Sequence, residues 1–122
     1  MNKAQAIHAF WSSFKWPAFD QATTPENAPF PRITYNVQTD SFENTVFLAA
    51  SLWDRSTSWE SVSLKADEIA QAIVSAFPST KVINGGRMYV TKGSPYSTRM
   101  SDPDSTLRRI VLNVNFEFMT NY

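Results

Sequence analysis

The strongest constraint on the fold is a strand that leads, through a short polar turn, into a one-sided helix. The apolar run 46–53 predicts the strand, and both of its faces are largely apolar, so we expect it in the middle of a sheet. Residues 54–58 predict the turn. Span 59–77 predicts a helix, in which these apolar side chains recur on one face: Val62, Ala66, Ile69, Ala70, Ile73 and Phe77. A helix with one apolar face needs a surface to pack on, so the other segments must supply a sheet.

Signals at both ends support this helix. Thr57 and Glu60 are three residues apart and fit a capping box, in which the threonine oxygen accepts a hydrogen bond from a backbone N–H and the glutamate reaches back to the Thr57 amide. Pro78 ends the helix, because proline has no N–H to continue the ladder and disfavours the helical conformation in the residue before it.

The remaining segments predict a small single domain over residues 1–122. In chain order they are a helix at 3–15 with Asn2 as its N-cap, a strand at 32–39, a hairpin around Gly85-Gly86 with strands at 80–84 and 87–91, and a strand at 106–119. The proline-rich segment 17–31 and the polar segment 93–105 predict long loops, and residues 40–44 a turn. The resulting order is α-β-β-α-β-β-β. We therefore expect an α+β fold, a mostly antiparallel β-sheet with two α-helices packed on one face.

Composition excludes several classes of protein. The chain has no cysteine, so disulfides and thiolate metal sites are excluded. Its formal net charge is zero, which gives no basic field for nucleic-acid binding as a primary role. No apolar run approaches the roughly 20 residues of a membrane-spanning helix. We therefore expect a soluble protein, and the zero net charge favours association.

A search for catalytic residues finds no convincing constellation. His8 is the single histidine and lies in a predicted helix, where a surface or core role is more common than a catalytic one. Asp102 and Asp104 place two carboxylates close together, and Mg²⁺ or Ca²⁺ could bind them, but a solvated turn is the favoured interpretation. The glycine pair lies in a hairpin and lacks the pattern of a phosphate-binding loop. We expect a non-enzyme without cofactor or metal.

Two groups of residues are candidates for a subunit or partner interface. Tryptophan and arginine are enriched in interface hot spots, although both indoles could equally belong to the core. The first group surrounds the predicted turn after the central strand, and the second lies in the predicted loop 93–105. The candidates are Trp53, Arg55 and Trp59 in the first group, and Tyr96, Arg99, Met100, Asp102 and Asp104 in the second.

Several short segments, taken in order, carry a family resemblance over nearly the whole chain. They are Pro31-Arg32-Ile33-Thr34-Tyr35, Leu52-Trp53-Asp54-Arg55-Ser56, Asp67-Glu68-Ile69, Gly85-Gly86 before Met88-Tyr89-Val90, a Gly-Ser-Pro-Tyr segment, and Leu107-Arg108-Arg109-Ile110-Val111-Leu112-Asn113-Val114. None of these motifs is compelled by chemistry. Their order and spacing resemble the tail terminator proteins of long-tailed bacteriophages, also described as tail completion or minor capsid-type proteins.

This resemblance implies a structural virion protein that forms a hexameric ring at the head-proximal end of the tail. The ring ends tail-tube polymerisation and offers a surface to the head and neck. Its partners would be the tail-tube protein and the connector, and DNA would pass through the lumen without sequence-specific binding. The subunit would be assembled in the bacterial host cytoplasm, with its sheet around the lumen.

A ring subunit needs two different interface patches. The corner between Trp53 and Trp59 and the loop from Arg99 to Asp104 are the predicted pair. Two alternatives stay open at this point. One is another neck component, such as a head-closure or adaptor protein, and the other is a small dimeric α+β ligand-binding domain.

Overall fold

The structure, a computed structural model, describes residues 2–38, 45–75 and 80–120. The predicted turn at 40–44, Phe77 and Pro78, and residues 121–122 lie outside that range. The second helix, predicted to run to Phe77, already ends at Val74, with Ser75 as its extended C-cap. The helices and strands are α1 Lys3–Ser12, β1 Ala18–Asp20, β2 Arg32–Tyr35, β3 Thr45–Arg55, α2 Glu60–Val74, β4 Thr80–Ile83, β5 Gly86–Met100 and β6 Leu107–Thr120, with a 3₁₀ turn at Gln21–Thr23.

The six strands form one sheet in the order β1-β2-β3-β6-β5-β4. Strands β1 and β2 run parallel, whereas the other neighbours run antiparallel. The predicted α+β fold with the order α-β-β-α-β-β-β is therefore wrong. The fold is a strand-rich, mixed sheet shaped as a half-barrel with two helices.

The missed strand, β1, explains the difference in element order. It has three residues and lies inside the predicted loop 17–31, so it is too short to show an alternating pattern. It forms only because β2 lies beside it, and the Ile33 N–H donates to the Pro17 carbonyl at 2.8 Å. Its pairing is a tertiary contact that local sequence does not encode.

The predicted loop 93–105 is also wrong over its first half, because β5 continues to Met100. The pairing of β5 with β6 shifts between Lys92 and Ser97, which leaves a bulge of Gly-Ser-Pro-Tyr. At Gly93 a Cβ would lie 2.8 Å from the Asn113 carbonyl oxygen, so only glycine fits so close to β6. The Asn113 side-chain N–H donates to the Pro95 carbonyl at 3.0 Å and holds the bulge in place.

The predicted hairpin of β4 and β5 is confirmed, with its turn one residue earlier than expected. Ile83 pairs with Gly86, so Asn84 and Gly85 form the turn. Gly85 has φ 80°, a conformation that favours glycine.

Helix α1 begins as predicted but ends early. The side chains of Asn2 and Gln5 each accept from the other's backbone N–H, which forms a capping box. The predicted end at residue 15 is wrong, because the Ser13 hydroxyl donates to the Phe10 carbonyl at 2.7 Å and the helix stops at Ser12.

The predicted capping box of α2 is wrong. The helix begins at Glu60 and its N-cap residue is Trp59, so the glutamate lies at the first helical position and not the third. The Ser58 hydroxyl accepts from the Glu60 N–H at 3.1 Å and takes the role expected of Thr57.

One hydrophobic core fills the concave side of the sheet. Every second side chain along a strand faces this core, among them Leu48, Leu52 and Leu112. Helix α1 contacts both edge strands, β1 and β4, so the curled sheet brings its two edges towards this helix. Within the described residues, neither helix is long and apolar enough to cross a membrane. Both helices contribute to the same buried cluster, with Ile7, Phe10 and Trp11 from α1 and Val62, Ala66, Ile69 and Ile73 from α2.

Candidate interaction surface

The convex side of the sheet carries the residues that face away from the core, and we call it the open face. Its most distinctive feature is a row of four side chains on four adjacent strands. Arg32 pairs with Trp53, Trp53 pairs with Arg109, and Arg109 pairs with Met100. Strand register thus aligns two arginines, a tryptophan and a methionine, three residue types that are enriched in protein interfaces.

The indole of Trp53 lies between two guanidinium groups. Its ring centroid is 4.8 Å from the Arg109 guanidinium carbon and 5.8 Å from that of Arg32. The indole N–H donates to the Thr34 hydroxyl at 3.0 Å, and Arg109 Nε donates to the Ser51 hydroxyl at 3.0 Å. The row is held in one arrangement, so little side-chain entropy is lost when a partner covers it.

Phe30 extends this cationic end of the open face. Its ring centroid lies 4.3 Å from the Arg32 guanidinium carbon and 4.9 Å from that of Arg55. Burial, and then the nearby charge of Arg55, lower the pKa of Arg32. The guanidinium of Arg32 stays charged at neutral pH and lies near Arg55, whose own charge is partly balanced by an exposed ion pair with Asp104.

The opposite end of the open face carries large apolar side chains beside the exposed, charged Arg87 and Glu117. Phe47 is 75% exposed and Met119 is 55% exposed, although both lie on central strands. Val82 and Tyr89 are also exposed there. Large apolar side chains grouped on one surface are typical of a protein interface.

A second aromatic–arginine cluster lies at the start of α2, on the helix side of the sheet. The Trp59 ring centroid is 4.9 Å from the Arg99 guanidinium carbon and 5.4 Å from that of Arg108. Arg108 Nη2 donates to the Thr57 carbonyl at 2.8 Å, which ties β6 to the turn before α2. Trp59 packs against the core, whereas Arg99 is exposed.

The acidic turn at 102–104 is satisfied largely by its own chain. The Asp102 carboxylate accepts from the Asp104 N–H, and the Asp104 carboxylate accepts from the Thr106 hydroxyl and N–H. These Thr106 hydrogen bonds, and more weakly Arg55, lower the pKa of Asp104. Arg55 Nη1 lies 3.4 Å from Asp104 Oδ2 in an exposed ion pair. No group of three potential metal-ligating side chains occurs among residues 2–38, 45–75 and 80–120.

Tyr96 connects the β5 bulge to α2. Its hydroxyl donates to the Ala66 carbonyl at 2.8 Å, and its ring packs at the edge of the core. Burial, and then the charge of Asp67, raise the pKa of this phenol. Tyr96 is therefore committed mainly to packing inside the chain.

The solvent-facing side of α2 carries carboxylates and two exposed apolar side chains. We call its exposed residues the outer stripe: Glu60, Leu64, Asp67, Glu68, Gln71 and Val74. Leu64 is 61% exposed and Val74 is 63% exposed, beside three carboxylates. The neighbouring Lys65 is turned away, since its Nζ donates to the Phe14 carbonyl at 2.9 Å and lies 3.1 Å from a Glu68 carboxylate oxygen. A cavity of about 450 Å³ opens between this lysine, Trp16 and the start of α2.

His8 takes part in a small hydrogen-bonded chain that joins α1 to β2. Its Nδ1 contacts the Tyr35 hydroxyl, and its Nε2 lies 3.1 Å from the Ser12 hydroxyl. Burial, and then the charge of Asp20, raise the pKa of Tyr35. The single histidine therefore has a structural role, because its contacts join α1 to β2.

The structure regroups the sequence-predicted interface residues. Trp53 and Met100 share one row on the open face, whereas Trp59 and Arg99 lie together on the helix side, and Arg55 contacts Asp104. Sequence reasoning missed three residues of the open face: Phe30, Arg32 and Arg109. The alternation in β6 places Arg109 on the polar side of its strand, but only the register shows that Trp53 lies between Arg109 and Arg32.

Comparison with known protein families gives no match, and no curated protein matches the chain.

Proposed function

We propose that this chain is a ring-forming structural subunit of a phage tail, which ends tail-tube polymerisation at the head-proximal end and offers a surface to the neck. The observation that carries the proposal is the open face. It combines a fixed Arg32–Trp53–Arg109 row with exposed Phe47 and Met119. Such a surface is typical of a protein that functions while covered by a partner.

A structural role suits the chemistry of this face. The indole N–H of Trp53 and the Nε of Arg109 are already bonded to Thr34 and Ser51. The face therefore offers cationic and apolar contact area in a fixed shape, which suits recognition by packing and charge. The order and spacing of segments that resemble tail terminators point to the same class of protein.

Ring formation needs two unlike patches on each subunit, because a heterologous interface repeats by rotation until it closes. The open face and the outer stripe of α2 lie on opposite sides of the sheet, since α2 packs on the core side. This arrangement supports a closed ring, and we propose a hexamer. The subunit would then reside in the virion, at the junction of tail and neck, with the tail-tube protein and the connector as its partners.

The test is a capping assay with the tail-tube protein encoded in the same genome. Tubes are polymerised with and without the chain, and their ends and lengths are measured by electron microscopy. We expect a ring at one end of each tube and shorter tubes as the chain is added. If the chain binds the connector but leaves tube length and tube ends unchanged, the terminator role is wrong and a head-closure or adaptor role replaces it.

A matched pair of variants makes this assay specific for the open face. Phe47→Glu places a charge among its large apolar side chains, and Ala4→Glu places the same charge at an exposed position of α1. Both side chains are exposed, so both variants should fold. We expect Phe47→Glu to lose capping and Ala4→Glu to keep it. Equal capping by the two variants would remove the open face from the proposal.

A further inference from the structure

We propose that, in the assembly on which the proposed function rests, the outer stripe of α2 from one copy docks on the open face of the next copy. The occupant of the open face is thus a second copy of this chain. The contact is head-to-tail, because the two surfaces lie on opposite sides of each subunit. Each copy would use its α2 towards one neighbour and its open face towards the other.

Charge complementarity is the first argument. The cationic end of the open face holds Arg32, Arg55 and Arg109, and the outer stripe holds Glu60, Asp67 and Glu68. The chain as a whole has a formal net charge of zero. Arg55 already pairs with Asp104, and Glu68 pairs with Lys65. The complementary charges are therefore Arg32 and Arg109 on the open face and Glu60 and Asp67 on the outer stripe, an arrangement that favours head-to-tail contact between copies.

The lengths of the two surfaces also match. At about 1.5 Å per helical residue, Leu64 and Val74 lie about 6 and 21 Å beyond Glu60 along α2. At about 3.3 Å per strand residue, Val111 and Asn115 lie about 7 and 20 Å beyond Arg109 along β6. Placing Glu60 over Arg109 therefore puts Leu64 near Val111.

The same placement brings exposed apolar side chains together. Val74 lies near Asn115, whose strand partner is the exposed Phe47. Glu60 then lies over the arginine row, Asp67 and Glu68 lie about 11 and 12 Å farther along, near Asn113, and Val74 lies towards Phe47. This match fixes the direction of docking, with α2 parallel to β6 of the neighbouring copy.

A nucleic acid fits the open face less well. Phosphates would pair with the arginines, but they would leave Phe47 and Met119 exposed to water. The faces of the Trp53 indole are also flanked by Arg32 and Arg109, so a base cannot stack on it freely. The outer stripe offers Glu60 to the arginine row and Val74 to the end that holds Phe47, so we favour it as the occupant of the open face.

Cysteine cross-linking tests the predicted register, because the natural chain has no cysteine to interfere. Chains carrying Leu64→Cys are mixed with chains carrying Val111→Cys under mild oxidation, and Val74→Cys is likewise mixed with Asn115→Cys. We expect disulfide-linked heterodimers from both mixtures. The exchanged pairs, Leu64→Cys with Asn115→Cys and Val74→Cys with Val111→Cys, serve as controls and should link at least about tenfold more slowly.

The outcomes separate this inference from the proposed function. A ring that caps tubes but gives no linkage of the matched pairs, or equal linkage of the exchanged pairs, would overturn the docking and leave the proposed function standing. Matched linkage in an assembly that does not cap tubes would support the docking and overturn the terminator role. Absence of both assembly and linkage would overturn the docking as well.

Charge reversal provides a second, independent test. Arg109→Glu and Glu60→Arg should each weaken self-association at least about tenfold, and the double variant should recover most of the loss. Lys15→Glu, an equal charge change at an exposed position after α1, is the control and should have little effect. The docking is wrong if the double variant stays as weak as the single ones. If Arg109→Glu instead abolishes retention on duplex DNA and leaves the assembly intact, the face belongs to nucleic acid.

Discussion

Each of the two tryptophans beside the turn before α2 has two guanidinium groups near its ring, but the two lie on opposite sides of the sheet. Trp53 belongs to the open face, where Arg32 and Arg109 flank it. Trp59 packs against the core, with Arg99 and Arg108 over its ring. Tryptophan and arginine thus form contact surface around Trp53, whereas around Trp59 they contribute mainly to the stability of the fold.

Replacement of Trp59 should therefore act on folding. We expect Trp59→Ala to lower the free energy of unfolding by about 2 kcal/mol, because a partly buried indole leaves the core edge. Arg99→Ala, at an exposed side chain, should stay within about 0.5 kcal/mol of the natural chain. Urea denaturation followed by circular dichroism measures both. A Trp59→Ala variant as stable as the natural chain would place this indole outside the core.

Tyr96 gives stability a pH dependence of known sign. Its pKa is raised in the folded state, so the folded chain holds the phenol proton more tightly than the unfolded chain. The associated stability is fully present below the ordinary tyrosine pKa of about 10 and is lost as the pH rises above it. Tyr96→Phe should lower stability at neutral pH by about 1 kcal/mol, since the Ala66 carbonyl loses its donor.

The alkaline range separates these two effects of Tyr96. Thermal unfolding between pH 8 and about 11 should show a smaller alkaline loss for Tyr96→Phe than for the natural chain. Tyr35 also has a raised pKa and should account for part of the remaining loss. Identical alkaline profiles would show that Tyr96 does not titrate with unfolding.

At the scale of elements, a serine hydroxyl just before the N-cap of α2 stabilises the start of the helix. The Ser58 oxygen accepts from the Glu60 N–H. Ser58→Ala should cost about 1 kcal/mol, the usual net contribution of one hydrogen bond. Thr57→Ala should change stability by less than about 0.5 kcal/mol, because Arg108 bonds the Thr57 backbone carbonyl and that group is retained. A larger effect at Thr57 than at Ser58, in urea denaturation, would restore the capping box expected from sequence.

The bulge in β5 depends on glycine. Gly93→Ala should lower stability by about 1–3 kcal/mol, since the new methyl group would meet the Asn113 backbone oxygen, which cannot move without disturbing β6. Ser94→Ala is the control, at an exposed neighbouring position. Unchanged thermal stability of Gly93→Ala would mean that the two strands separate easily at the bulge.

Local patterns were sufficient to place β3 and β6 and to find β2, but the strand predicted at 32–39 already ends at Tyr35. The alternation that places Leu112 and Val114 towards the core is visible in sequence because a strand has a period of two. Strand β1 and the far half of β5 were not predictable, since their residues are polar or few and they are ordered by neighbouring strands. The row of Arg32, Trp53 and Arg109 was hidden for a related reason, because it spans three strands and depends on their register.

At the scale of the whole molecule, the neutral net charge conceals an uneven distribution of charge. Arginines gather at one end of the open face, and carboxylates follow the outer stripe of α2 on the other side of the sheet. A dimer with two-fold symmetry uses the same patch on both subunits and would leave one of these two surfaces uncovered. Head-to-tail repetition pairs unlike surfaces, which is the arrangement that a ring requires.

The most direct test of this account is the solution mass of the chain, measured by light scattering after size-exclusion chromatography at several protein concentrations, with and without Mg²⁺. We expect a closed hexamer whose population increases as the protein concentration rises. A strict dimer under every condition would contradict it. So would a strict monomer that stays monomeric when the matching tail-tube protein is added.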